Sequence, residues 1–178
     1  MAKPIMKQRS FLRLSIQALF LTALTLLAGC MSSHSDPSRY RLLFQAHPQI
    51  NNAAPLKFRV LLLKSDADFM SADFYSLQNS AQTVLGSNLL NSEQFFLMPG
   101  QLTKTLAGQR TPEARYIGIM AEYQSLNGKK WRLSLPLPGA DEEELSGGWH
   151  RESDTWQIGI VADNGGVRIA SKAESMPE

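Results

Sequence analysis

The residue with the clearest chemistry is Cys30, the only cysteine among 178 residues. A lone thiol has no intrachain disulfide partner and no second thiol with which to share a metal ion. It follows an apolar run at 14–27 and precedes the polar stretch MSSHSDPSR at 31–39. This position at a boundary indicates that the cysteine serves in processing of the chain rather than in its folded core.

The first 29 residues have the layout of a secretory signal. Lys3, Lys7, Arg9 and Arg13 form a positively charged start with no acidic residue. The apolar run that follows is short for a membrane span and ends in small residues. We therefore expect a signal that is removed, with an uncleaved N-terminal anchor helix as the alternative.

The sequence Leu27-Ala28-Gly29-Cys30 resembles the bacterial lipobox. In proteins with that motif, the cysteine thiol takes a diacylglyceryl group, the signal is cut before the cysteine, and the new amino group is usually acylated. Two or more acyl chains anchor a protein stably, because each buried methylene contributes about 0.8 kcal/mol. The resemblance implies lipidation at Cys30 and no cofactor besides this covalent lipid. A free thiol at a cleavage site is the alternative.

The residue after the cysteine is Met31. In many enterobacteria an aspartate at that position favours retention in the inner membrane. Its absence implies that the protein is transferred to the inner leaflet of the outer membrane, with its domain facing the periplasm.

Charge excludes nucleic acid as a partner class. The whole chain carries a formal charge of +2, but residues 1–29 hold four of its positive charges. The mature chain has 14 Lys and Arg against 16 Asp and Glu, a net charge of −2. No basic cluster remains that could follow a phosphate backbone.

No set of residues is spaced for catalysis. His34, His47 and His150 are scattered, and no His-x-x-x-His or Cys-His pair offers a zinc site. The aspartates of DADFMSAD at 66–73 lack the glycine and the final glutamate of a calcium loop. We therefore expect a protein without enzymatic activity, metal or small-molecule substrate.

Strand patterns dominate the rest of the chain. Apolar and polar residues alternate, or apolar and β-branched residues cluster, at 40–46, 56–64, 93–98, 101–107, 115–124, 129–137, 155–162 and 166–170. Asn127-Gly128 and Asp163-Asn164-Gly165 predict hairpin turns, and Pro99-Gly100 predicts another turn.

One helical pattern interrupts the strands at about 66–86. Phe74, Leu77 and Leu85 recur at helical spacing, Ser71 can cap the start, and Gly86 can end the helix. Strands joined by short hairpins favour a two-sheet antiparallel β-sandwich with this helical insertion after the second strand.

The predicted domain organisation has four parts. Residues 1–29 are the signal, 30–39 the lipidated cysteine with a flexible tether, 40–172 the β-sandwich, and 173–178 a frayed tail.

Three tryptophans and an acidic run call for interpretation. Trp131 and Trp156 lie in strand patterns and are expected in the core. The acidic run 141–144 is interpreted as a solvated loop, or as a contact surface with Trp149 as its anchor.

The order of these features resembles the TssJ family of type VI secretion outer-membrane lipoproteins. The matching pieces behind the lipobox are PLKFRVLLLKSDADFMSADFYSL (55–77), VLGSNLL (84–90), FFLMPGQ (95–101), ARYIGIMAEYQSL (114–126) and WRLSLPLP (131–138). The resemblance implies a transthyretin-like two-sheet β-sandwich. It also implies an anchoring role, in which the protein binds the periplasmic C-terminal region of TssM within a complex that includes TssL.

In that family the loop between the first two strands contacts TssM. The matching positions here are His47 to Pro55, and Gln49, Ile50, Asn51 and Asn52 are the exposed residues expected to bind. The alternative from a different class is a periplasmic lipoprotein that binds a ligand or assists assembly and has no part in secretion.

Overall fold

Strands make up most of the folded domain. The computed structural model describes residues 39–137, 150–152 and 155–171. The strands in these ranges are β1 (Arg39–Ala46), β2 (Leu56–Leu63), β3 (Leu89–Leu97), β4 (Thr103–Gln109), β5 (Tyr116–Glu122), β6 (Arg132–Pro136), β7 (His150–Glu152), β8 (Thr155–Asp163) and β9 (Gly166–Ile169). Two helices, α1 (Ala67–Ser71) and α2 (Phe74–Leu85), and a 3-10 turn (Gly86–Asn88) follow β2.

The strands form two sheets, here called sheet A and sheet B. Sheet A has the order β4-β1-β8-β7, with β9 also paired to β8, and sheet B has the order β3-β2-β5-β6. The mainly β, two-sheet sandwich with a helical insertion after the second strand is confirmed. One strand pair, β1 with β8, is parallel where an antiparallel sandwich was expected. The chain builds all of sheet B and strand β4 between these two strands, which run in the same direction through sheet A.

The core lies between the sheets and follows from alternation along the strands. In β1 every second residue is buried, including Leu42 and Phe44. Phe44 meets Phe58 of β2 and Phe95 of β3 at ring-centroid distances of 5.1 and 4.9 Å. Trp156 of β8 is 3% exposed in the same core, as the sequence predicts. Each such side chain contributes roughly 1.5–3 kcal/mol by burial.

A second apolar cluster covers the outer face of sheet B. Leu61 and Leu63 of β2 point away from the main core and pack with Phe69, Leu77 and Leu85 of the helical insertion. Strand β2 is therefore apolar on both faces, because the sandwich covers one face and the helices cover the other.

Trp131 joins the helical insertion to sheet B. Its ring packs edge-on against Phe74 of α2 at 5.2 Å, and the Arg132 guanidinium lies 4.5 Å from its centroid. The Trp131 side chain is half-buried rather than fully buried in the core.

The cap of α2 differs from the prediction. Asp73, not Ser71, is the N-cap, and its Oδ1 accepts a hydrogen bond from the Ser76 amide at 3.0 Å. Ser71 instead ends the short helix α1. Gly86 ends α2 with a φ of 52°, as predicted.

Two of the three predicted turns join neighbouring strands. Asn127-Gly128 connects β5 to β6, and Asp163-Asn164-Gly165 leads from β8 into β9. Pro99-Gly100 is also a turn, but it carries the chain from β3 in sheet B to β4 in sheet A.

Candidate partner-binding surface

Four connections gather at one end of the sandwich, which we call the loop end. They are residues 47–55, 98–102, 123–131 and 164–165. The strand register places them together, because Ala46 pairs with Ala162 in sheet A and Leu56 pairs with Leu97 in sheet B. The β1–β2 connection is bonded to its surroundings at its start, where the His47 amide donates to the Ala162 carbonyl at 3.0 Å.

The β1–β2 connection contains an unusual backbone. Asn51, Asn52 and Ala53 have φ angles of 53°, 57° and 57°, so three successive residues are left-handed. This conformation costs L-residues roughly 1–2 kcal/mol each, least for asparagine. Such strain persists only where the surroundings hold it, and it concentrates at functional sites.

The Asn51 side chain holds this turn in place. Its Nδ2 donates to the Pro55 carbonyl at 2.9 Å, and its Oδ1 accepts from the Gln124 amide at 2.8 Å. Asn51 is 8% exposed, so both hydrogen bonds are largely shielded from water. The side chain thus fixes the β1–β2 connection to the β5–β6 connection.

The exposure of the four candidate binding residues differs in part from the prediction. Gln49 and Asn52 are exposed, as expected, whereas Ile50 is 4% exposed within the core and Asn51 is buried. The left-handed turn folds the chain back, which points Ile50 inward and commits the Asn51 amide to internal hydrogen bonds. A contact between this connection and a partner remains a prediction.

A second part of the loop end presents apolar side chains to solvent. Phe96 is 53% exposed and Met98 is 43% exposed. Phe95 stacks on Phe58 at 5.4 Å inside the core, so alternation along β3 turns Phe96 outward. Sequence reasoning missed these residues, because no local pattern shows that β3 is an edge strand of sheet B.

The remaining turns of the loop end are tied together by polar contacts. Lys129 Nζ donates to the Asn164 carbonyl at 2.7 Å, and it lies 5.6 Å from the centroid of the Tyr123 ring. Burial, and next the nearby Asp163 carboxylate, raise the pKa of Tyr123 well above its usual value. The Tyr123 hydroxyl therefore stays neutral, and it donates to the Asp163 carbonyl at 3.5 Å.

Several sequence predictions lie outside the described residues. They concern the lipidated Cys30, the acidic run 141–144 and Trp149. Within the described ranges, no helix is long and apolar enough to cross a membrane. The same part of the chain contains no group of three His, Cys, Asp or Glu residues arranged to hold a metal ion.

One family model matches most of the domain. It is described as type VI secretion lipoprotein, with the names SciN, VasD, EvfM and TssJ, and it covers residues 38–163. No curated protein matches the chain.

Solved structures share the fold. Serratia marcescens Lip, a membrane-bound component of the type VI secretion system, is 50% identical with a TM-score of 0.68, covering 77% of this chain and 100% of its own. The Pseudomonas aeruginosa type VI lipoprotein TssJ1 is 27% identical with a TM-score of 0.64, covering 79% and 99%. A chain from a type VI membrane complex is 20% identical with a TM-score of 0.58, covering 75% and 98%. Because the family model spans more than half of the 178 residues, the protein belongs to the type VI secretion lipoprotein family that includes TssJ.

Proposed function

We propose that this protein is anchored by lipid at Cys30 in the inner leaflet of the outer membrane and binds the periplasmic C-terminal region of TssM. Through that contact it fixes the envelope-spanning complex that also contains TssL. Its activity is anchoring rather than catalysis. The binding surface is the loop end, and no cofactor takes part beyond the covalent lipid.

The observation that carries this proposal is the direction in which the chain enters the domain. The described chain enters at Arg39, where β1 begins, and that strand runs to Ala46 at the loop end. A strand of eight residues spans about 26 Å. A tether attached before Arg39 therefore joins the domain at the end opposite the loop end, which leaves the loop end accessible to a partner that approaches across the periplasm.

The loop end is also built before any partner arrives. Asn51 joins the β1–β2 and β5–β6 connections, and Lys129 joins the β5–β6 and β8–β9 connections. A surface already held in one conformation loses less entropy on binding. This rigidity supports a surface used for stable attachment.

The exposed residues of the loop end suit a protein partner. Phe96 and Met98 provide apolar contact area, and Gln49 and Asn52 provide hydrogen-bonding groups. Phenylalanine and methionine are enriched in protein interfaces. Ile50 and Asn51 support the surface from behind.

A pull-down tests the proposal. The bait is the domain without its signal and cysteine, residues 31–178, and the prey is the periplasmic C-terminal region of TssM from the same bacterium. The bait is suitable because the Serratia relative was solved as a domain of similar extent. Its whole chain matches 77% of this chain. We expect stable capture of TssM. Failure to capture it under several salt conditions would contradict the proposed partner and favour a lipoprotein unrelated to secretion.

A further inference from the structure

A cleft lies at the opposite end of the sandwich from the loop end, and we call this the tether end. The cleft has a volume of about 340 Å³ and is lined by residues where β1, β4 and β8 meet. Those that matter for its chemistry are Arg39, Arg41, Gln109 and Thr155.

The register of sheet A brings these side chains to one face. Arg39 pairs with Gln109 of β4 on one side and with Thr155 of β8 on the other. Arg41 is two residues along β1 and therefore shares the face of Arg39, about 7 Å away. Arg41 Nη1 donates to Gln157 Oε1 at 3.3 Å, which holds its guanidinium over the sheet.

Two guanidinium groups flanked by a hydroxyl and an amide form a site for an oxyanion. Arginine presents a planar fork of N–H donors that matches the oxygens of a phosphate. Threonine and glutamine add neutral donors beside it. Neither the apolar residues of the loop end nor the acidic residues of the chain offer this combination.

Other charged residues lie near the cleft and bear on its preference for an anion. Arg110 and Arg115 follow β4 and lie at the same end of the domain. Glu113 lies in the same segment, but its carboxylate is paired with Lys64 at 2.6 Å. Among the described residues, the lining of the cleft holds two arginines and no carboxylate, although the Glu93 carboxylate lies near enough to contribute, after burial, to the raised pKa of Tyr40.

The position of the cleft favours phospholipid headgroups as the source of phosphate. Only eight residues lie between Cys30 and Arg39, and this segment spans at most about 30 Å when fully extended. If Cys30 carries lipid, as proposed above, the headgroups of the surrounding phospholipids are the phosphates within constant reach.

We propose that the Arg39–Arg41 cleft binds the phosphate of an anionic phospholipid headgroup and seats the tether end of the domain on the membrane. This contact orients the loop end toward the periplasm, whereas a lipid on a short tether alone would leave the domain free to tumble. The inference rests on lipidation at Cys30 for its biological setting, but the headgroup contact itself can be measured without the lipid.

The test measures binding of residues 31–178 to vesicles by co-sedimentation. One set of vesicles is phosphatidylcholine alone, and the other is phosphatidylcholine mixed with phosphatidylglycerol. We expect binding only to the mixed vesicles, weakening as salt increases. Each basic residue near an anionic surface strengthens binding roughly fivefold, so Arg39→Gln should weaken it about fivefold and Arg39→Gln with Arg41→Gln about 25-fold.

A matched pair of substitutions controls for loss of charge. Lys104→Gln with Lys130→Gln removes the same charge from exposed lysines near the loop end. These lysines lie farther from the cleft than the Debye length of about 8 Å at physiological salt, so we expect little change. Unfolding temperatures of all variants verify that each domain is folded. If the double variant is unstable, the single variant Arg39→Gln still tests the proposal, because Arg39 is exposed.

Three results would overturn the proposal. The first is equal binding to both vesicle types, and the second is equal loss in the cleft and control pairs, which would mean general charge attraction. The third is stabilisation by inorganic phosphate without vesicle binding, which would identify a soluble anion instead. Each of these outcomes leaves the TssM pull-down unaffected, so the two proposals can fail separately.

Discussion

At the scale of single residues, the β1–β2 turn concentrates backbone strain in a small part of the loop end. Asn51, Asn52 and Ala53 all have positive φ angles. Asparagine accepts this conformation more readily than alanine, because its side chain can form local hydrogen bonds. Asn51 uses that capacity twice, with Pro55 and with Gln124.

Replacing Asn51 should destabilise the domain. Asn51→Ala leaves the Pro55 carbonyl and the Gln124 amide without their partner, so we expect the free energy of unfolding to fall by about 3 kcal/mol. Asn51→Gly loses the same hydrogen bonds but tolerates positive φ, and it should recover about 0.5–1 kcal/mol of that loss. Urea unfolding measures both. Identical stability of Asn51→Ala and the wild type would show that the hydrogen bonds do not hold the turn.

Ala53 should behave in the opposite way. Its φ of 57° is unfavourable for alanine and acceptable for glycine. We expect Ala53→Gly to raise the free energy of unfolding by about 0.5–1 kcal/mol, since relief of strain exceeds the greater entropy of the unfolded glycine chain. Chemical denaturation measures this change. A lower free energy of unfolding for Ala53→Gly than for the wild type would contradict the left-handed conformation of Ala53.

At the scale of elements, the helical insertion is fastened to sheet B by a buried ionic contact. The Arg59 guanidinium donates to the carbonyls of Leu77 and Gln78 at 2.9 and 3.1 Å and pairs with Glu122 at 3.1 Å. These carbonyls lie within one turn of Ser80, where α2 departs from helical geometry. The side chain of Arg59 thus supports the helix just before its irregular point.

Loss of this contact should weaken the insertion. Arg59→Met leaves two helix carbonyls without their donor and removes one of the partners of the Glu122 carboxylate, which keeps Lys57 and Gln78. The free energy of unfolding should therefore fall by about 2 kcal/mol. Lys64→Met is the matched control, because the Lys64–Glu113 pair is exposed and should contribute less than about 1 kcal/mol. Hydrogen exchange should locate the Arg59 effect in α2. Equal losses from the two variants would refute a special role for the buried contact.

The cap of α2 gives an acid-dependent prediction. Hydrogen bonds from Ser76 lower the pKa of Asp73 below its usual value. A carboxyl with a lowered pKa stabilises the fold above its unfolded pKa, and that contribution is lost as pH falls through the folded pKa. Asp73→Ala should therefore lower the unfolding temperature near neutral pH but make little difference in strong acid. Asp73→Ser should retain most of the stability, because serine also caps helices.

The elements show how far the sequence predicts this fold. Alternation in β1 and the Asn127-Gly128 turn are local signals, so strand positions and that hairpin follow from the sequence. The parallel pairing of β1 with β8 depends on residues more than a hundred positions apart, and no local pattern encodes it. The cap at Asp73 was missed because Ser71 is an equally good capping residue, and only the break between α1 and α2 decides between them.

The lack of a local signal for long-range contacts also explains what the sequence did not predict at the loop end. The β1–β2 connection was identified through family resemblance, but its exposure pattern was not predicted. Asparagine in a loop is usually exposed, and the burial of Asn51 depends on Gln124, which lies far along the chain. Phe96 was missed because its exposure follows from the edge position of β3, which the sequence does not reveal.

At the scale of the whole molecule, the domain has two ends of different chemistry. The tether end carries the arginine cleft, and the loop end carries the strained turn together with exposed apolar residues. The sandwich between them fixes their separation.

Anchoring is tested in cells. Cys30→Ser should abolish labelling by radioactive palmitate, release the protein from the outer-membrane fraction and stop type VI secretion. The domain itself should remain folded, because the main core is built from strands and connections between Tyr40 and Val167. Undiminished secretion by a soluble Cys30→Ser protein would contradict the proposed anchor.

The central claim, that the loop end binds TssM, is tested most directly by the affinity of residues 31–178 for the periplasmic C-terminal region of TssM. Gln49→Lys with Asn52→Lys changes exposed residues of the loop end, and Ser87→Lys with Thr111→Lys makes the same change at exposed residues of the tether end. We expect the loop-end pair to weaken binding by tenfold or more, equivalent to at least about 1.4 kcal/mol, and the tether-end pair to leave it unchanged. Wild-type affinity in the loop-end pair, or an equal loss in both pairs, would contradict the account.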